Sequence, residues 1–166
     1  MSIDFQAIFD VGRCEGLDWL LFKLESMPSF IYELAEYRTL WEPQKWEVQQ
    51  VSPMSQPDLV GPCGFAIDIA EGILKLYHMM RFSTFTSDVD ARQSLRRSCM
   101  MLADMVGSQR MICTHELMPH EGTSIDTIAS WMEREIGPPA VTFQELRQAD
   151  YYGPRAWYID SFADLR

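Results

Sequence analysis

Phe65-Ala66-Ile67-Asp68-Ile69-Ala70-Glu71-Gly72-Ile73-Leu74-Lys75-Leu76-Tyr77-His78 can be written as two strands around one tight turn. With Glu71-Gly72 as a two-residue turn, Ala70 faces Ile73. Counting back, Ile69 faces Leu74, Ile67 faces Leu76 and Phe65 faces His78, an apolar set on one face. On the opposite face Asp68 falls across from Lys75, a favourable cross-strand pair of charges. A slip of one residue would turn one strand over, so the agreement of both faces sets the register.

Working outward toward the C-terminus, Ser87 or Asp88 caps a helix running to about Val106. Ala91, Leu95, Cys99, Leu102 and Val106 make its apolar stripe, and Gly107 closes it. Met111 to Thr114 reads as an interior strand, because neither of its faces is strongly polar. The unit from Ile73 to His115 is thus strand, helix, strand; if its strands are parallel in one sheet, the crossover is right-handed. Thr123 with Asp126 resembles a capping box, followed by the stripe Ile125, Ile128, Ala129, Met132 and Ile136. Gly137-Pro138-Pro139 stops that helix. Thr142 and Glu145 signal a short helix ending near Ala149, Tyr151 to Pro154 a turn, and Ala156 to Ile159 a last short strand.

Toward the N-terminus, Phe5, Ile8 and Phe9 have helical spacing, and Leu17, Leu20, Leu21 and Leu24 form an amphipathic stripe. Pro28 opens a further helix with Phe30, Leu34, Tyr37 and Trp41 as its seam, and Pro43 ends it. Lys45 to Val51 alternates as a strand, with Trp46 and Val48 pointing one way. Ser52 to Cys63, with Pro53, Pro57, Gly61 and Pro62, reads as a loop. The sum is an α+β fold in one domain, residues 1–166, with an N-terminal helical segment at about 3–41. Its mixed sheet has four to five strands: the hairpin 64–82, the strand 110–115, and short strands near 45–51 and 156–160.

The chain has 166 residues and a net charge of −10, with 47 % apolar and 23 % charged residues, which suits a domain with a full core. Twelve acids oppose six bases up to Ser83, and twelve oppose eight beyond it, so no basic tail exists. Nucleic acid is therefore not an expected partner. Arg92, Arg96 and Arg97 read as a short solvated ridge. No segment has the basic flank and apolar run of a secretory signal, nor the roughly 20 apolar residues of a membrane span. The expectation is a soluble, cytoplasmic protein without a membrane partner. Cys14, Cys63, Cys99 and Cys113 contain no C-x-x-C pair, which argues against a zinc knuckle and for reduced thiols.

Thr114-His115-Glu116-Leu117-Met118-Pro119-His120-Glu121 holds two of the three histidines. It fails the zinc motif H-E-x-x-H, since the histidines are five apart and Pro119 lies between them. A shared site would have to come from a strand end and the loop after it. There His115 or His120 would serve as base, with Glu116 orienting it and the N–H groups near Gly122, Thr123 and Ser124 holding an anion. His78, His115 and His120 are the candidate metal ligands, with His78 and His115 expected within roughly 10 Å from the strand and helix rises. The bland reading makes His78 a hydrogen-bonded core residue opposite Phe65. Tyr151, Tyr152, Arg155 and Trp157 form the candidate recognition surface, because exposed Tyr, Trp and Arg together mark binding sites.

No constellation passes the geometric test for catalysis. The sequence therefore points to a non-catalytic, acidic protein–protein interaction module without a cofactor, suited to neutralising or regulating a basic partner. The alternative is a small metal-assisted hydrolase built on His115, Glu116 and His120.

Overall fold

The two halves of the central hairpin pair in the register their side chains require. In the computed structural model, which describes residues 3–27, 34–37, 43, 45–50, 52–70 and 72–166, Ala70 opposes Ile73, Ile67 opposes Leu76 and Phe65 opposes His78. Asp68 opposes Lys75 on the other face. Gly72 turns the chain at a φ of 84°, a left-handed value that glycine tolerates; Glu71 lies outside the described residues.

Around this hairpin the described residues build seven strands: β1 (Asp4–Asp10), β2 (Glu47–Gln49), β3 (Asp58–Val60), β4 (Phe65–Ala70), β5 (Ile73–Arg81), β6 (Met111–His115) and β7 (Tyr158–Asp160). Their spatial order is β2-β3-β4-β5-β1-β6-β7, and every adjacent pair is antiparallel. The fold is α+β, as expected, but the sheet is larger than four to five strands and is not mixed.

Two of the additional strands explain themselves. β1 was expected to be helical from the spacing of Phe5, Ile8 and Phe9. It is instead a central strand between β5 and β6, and Phe5 to Phe9 are buried without a break. A strand covered on both faces loses its alternation, and a short apolar run then looks the same for helix and strand. β3 lies inside the expected loop; three residues between Pro57 and Pro62 are too few to show a period. β2 also departs from expectation, since Trp46 is buried just before it whereas Val48 is exposed at the sheet edge. A Cβ on Gly61 would lie 2.5 Å from the Trp46 ring, so glycine there admits the indole.

Five helices are described: α1 (Leu17–Glu25), α2 (Phe82–Ser87), α3 (Val89–Val106), α4 (Ile125–Glu135) and α5 (Phe143–Gln148). α1 keeps the expected stripe, burying Leu20 and Leu24. The expected helix from Pro28 to Trp41 lies mostly outside the described residues; within them a 3-10 turn spans Ala35–Tyr37. Asp88 caps α3 through the Ala91 N–H, and Gly107 ends it in the left-handed region. The cap of α4 falls one residue later than expected: Ser124 and Thr127, not Thr123 and Asp126, make the reciprocal box. Among the described residues no helix is long and apolar enough to cross a membrane.

β5 and β6 are both antiparallel to β1, hence parallel to each other with β1 inserted between them. One sheet face (Phe5, Ala7, Phe9, Leu74, Leu76, Cys113) shares a core with Leu95, Leu102 and Val106 of α3. The other (Ile8, Ile73, Ile112) packs with Ile125, Ile128 and Met132 of α4 and with Trp157.

Candidate functional site

His78 and His115 occupy one row of the sheet. Phe65, His78, Phe5 and His115 are successive partners across β4, β5, β1 and β6, so all four side chains leave the same face. The topology does bring these two histidines near each other, but it inserts Phe5 between them. His120 is elsewhere. It lies within electrostatic reach of Lys75, whose β1 partner is Ile8 on the opposite face.

Each imidazole is committed to the backbone. His78 Nε2–H donates to the Cys63 carbonyl at 2.8 Å, and its Nδ1 accepts the Met80 N–H at 2.9 Å. The pairing of β5 with β1 jumps from His78 to Arg81, so Met79 and Met80 form a bulge, and the ring takes up an amide there. Phe65 and Tyr37 flank the ring at 4.6 and 4.8 Å. Burial pushes the His78 pKa down to about 4, against the pull of the Cys63 carbonyl. This is the core histidine of the bland reading.

His115, fully buried at the end of β6, donates from Nε2 to the Tyr151 carbonyl at 2.6 Å. Its Nδ1 is buried without a hydrogen-bond partner among the described residues. The rings of Tyr151 and Tyr152 meet it edge-on at 5.5 and 5.3 Å, and Phe82 at 5.6 Å. Burial lowers its pKa, the Tyr151 carbonyl and Glu116 opposing. His120 bonds the Met118 carbonyl through Nδ1, and Glu116 accepts the Asp4 N–H. Among the described residues no three His, Cys, Asp or Glu side chains are grouped to hold a metal. Cys99 and Cys113 are buried, with thiol pKa values raised well above the ordinary one by desolvation, which disfavours the thiolate.

The expected anion cradle at the start of α4 is filled by the protein itself. Thr127 Oγ1 takes the N–H groups of Thr123 and Ser124, and Asp10 takes that of Ile125 at 2.6 Å.

The recognition candidates divide. Tyr151 and Tyr152 are 44 % and 59 % exposed, and Arg155 is exposed with a φ of 67° and its N–H on the Pro138 carbonyl. Trp157 is not at this surface. It is 1 % exposed, sits in the core under α4 and donates its indole N–H to the Gly137 carbonyl.

Arg92 and Arg96 overturn the solvated ridge. Arg96 is 1 % exposed and forms bidentate pairs with Asp160 and Asp164. Arg92 is 9 % exposed and donates from Nη1 to the Phe85 and Thr86 carbonyls. Sequence reasoning missed both, although their spacing from Leu95 and Cys99 sets them beside the apolar stripe.

The molecule is therefore an α+β protein with an exposed aromatic turn seated on a buried imidazole. Comparison with family models, curated proteins and solved structures finds no match.

Proposed function

We propose that the protein is a non-catalytic, acidic module that binds another protein through the Tyr151–Arg155 turn. The observation that carries this reading is the Tyr151-Tyr152 pair, exposed yet held from beneath by the hydrogen bond and ring contacts of His115. Large rings presented on an ordered backbone bind at low entropic cost, and edge-on ring pairs add about 0.5–1.5 kcal/mol to such an arrangement. Arg155 adds a cation of the kind that anchors interfaces. The net charge of −10 favours a basic partner by faster encounter, and covering that partner's surface would neutralise or regulate it. We take the setting to be the cytoplasm, which the buried thiols of Cys99 and Cys113 favour.

Capture from native extract tests the reading. Immobilised protein should retain a partner at low salt and release it as salt rises. Tyr151→Ala/Tyr152→Ala, with unchanged circular dichroism, should retain at least about tenfold less, as expected of a central contact. Equal retention by the double variant, or none by the wild type, contradicts the proposal.

A further inference from the structure

We propose that the groove between α3 and α5 is an oxyanion site that takes a phosphate group on Arg92 and Arg147. The groove has a volume of about 490 Å³, and its walls include Thr86, Ser87, Arg92, Phe143, Gln144 and Arg147. In a chain with 24 acids and 14 bases, two arginines and no carboxylate line it among the described residues.

The two arginines of α3 show what is missing. Arg96 meets two carboxylates, whereas Arg92, one turn earlier, meets none among the described residues. Its Nη1 caps the C-terminal carbonyls of α2, and the guanidinium lies 4.3 Å from the centre of the Phe143 ring. Its Nε is buried with no hydrogen-bond partner among the described residues. The Nε edge is closed to solvent, so an anion in the groove would meet the guanidinium through Nη2, for which no described residue supplies an acceptor. Burial and the neighbouring Arg96 both press against its charge, with Asp88 and Cys113 opposing them from outside the groove wall. Arg147 is exposed on α5, and no described residue pairs with it. The Thr86 and Ser87 hydroxyls donate to the Ser83 carbonyl, so the arginines and the amides of Gln144 and Gln148 are the donors available to an anion.

The space also describes the ligand. A second hollow of about 390 Å³ shares Thr86, Ser87 and Arg147 with the first and continues along Phe82, Leu146 and Tyr151. A phosphate on the arginines would leave room for an organic group against that apolar wall. Free phosphate and a phosphate ester thus share the anionic contact and differ in the second hollow. The proposal does not depend on protein recognition by the aromatic turn, since Arg92 and Arg147 belong to other elements.

Calorimetric titration with inorganic phosphate and with phenyl phosphate, at ionic strength held constant by chloride, tests the site. Saturable binding in the millimolar range or tighter is expected for both, and tighter binding of phenyl phosphate identifies an ester as the preferred source. Arg147→Gln should weaken binding at least about tenfold while leaving the unliganded unfolding midpoint unchanged, as for an exposed side chain. Arg92→Lys, which keeps the charge but loses the guanidinium Nη2 donor, should weaken it similarly. The absence of saturable binding by both probes, or unchanged affinity in both variants, overturns the proposal.

Discussion

Arg96 spends all five of its N–H groups on side chains: two on Asp160, two on Asp164 and one on Gln93. The two aspartates come from β7 and the tail behind it, so one residue of α3 ties the C-terminus to the core. Asp160 Oδ1 also accepts the Phe162 N–H, and the Arg96 guanidinium holds the Asp164 carboxyl down to about 2. Removing one member of a buried pair strands the other charge, which costs about 3–5 kcal/mol. Arg96→Ala should therefore lower unfolding stability in urea by that amount. Arg134→Ala, which removes an exposed pair with Glu135, should change it by less than about 1 kcal/mol. Equal effects would contradict the account of Arg96. Helical spacing sets Arg96 beside the apolar stripe, but it does not foretell the partners, because its acids lie more than 60 positions away. The burial of Trp157 was hidden from a reading of Tyr151–Arg155 alone because its partners, Gly137 and the apolar stripe of α4, lie outside that stretch.

At the scale of elements, legibility follows how many faces a segment leaves open. The hairpin of β4 and β5 has one apolar face, one charged pair and a glycine turn, and its register was readable residue by residue. α3 was readable from Asp88 to Gly107 because its caps are local chemistry. β1 was not, since burial on both faces erased its period. The start of α4 was misplaced by one residue because Thr123, Ser124, Asp126 and Thr127 offer two overlapping cap patterns. The geometry chooses Ser124, whose Oγ accepts the Thr127 N–H at 3.1 Å while Thr127 Oγ1 answers the Ser124 N–H. Ser124→Ala should thus cost about 1 kcal/mol in thermal or urea unfolding, the usual worth of an N-cap. Thr123→Ala should stay within about 0.5 kcal/mol. The reverse order would return the cap to Thr123.

Across the whole molecule two of the three histidines hold elements together. His78 joins the β5 bulge to the turn at Cys63, and His115 joins the end of β6 to the aromatic turn before β7. The strand–helix–strand reading allows His78 and His115 to come within roughly 10 Å but leaves open whether their rings share a sheet face. It could not reveal Phe5 between them, because β1 was not recognisable as the intervening strand. Both rings are neutral in the folded state, with pKa values below the ordinary 6.5. The unfolded chain then binds more protons than the folded one below about pH 6.5, so stability is full above that pH and falls on acidification. For His78 the fall ends near its folded pKa of about 4 and amounts to about 3 kcal/mol. Urea unfolding between pH 7 and pH 4 should show this decline, and His78→Gln should flatten it. A pH-independent midpoint over that range would remove the argument.

The sharpest test is the imidazole nitrogen spectrum, followed by NMR from pH 7.5 to 4 with and without zinc. His78 and His115 should appear as neutral rings protonated at Nε2, His78 staying so down to about pH 4 and His115 titrating below the ordinary 6.5, and both should ignore the metal. A ring titrating near pH 6.5, the opposite tautomer, or a zinc-induced shift shared by His115 and His120 would mean that these imidazoles do chemistry rather than hold the fold.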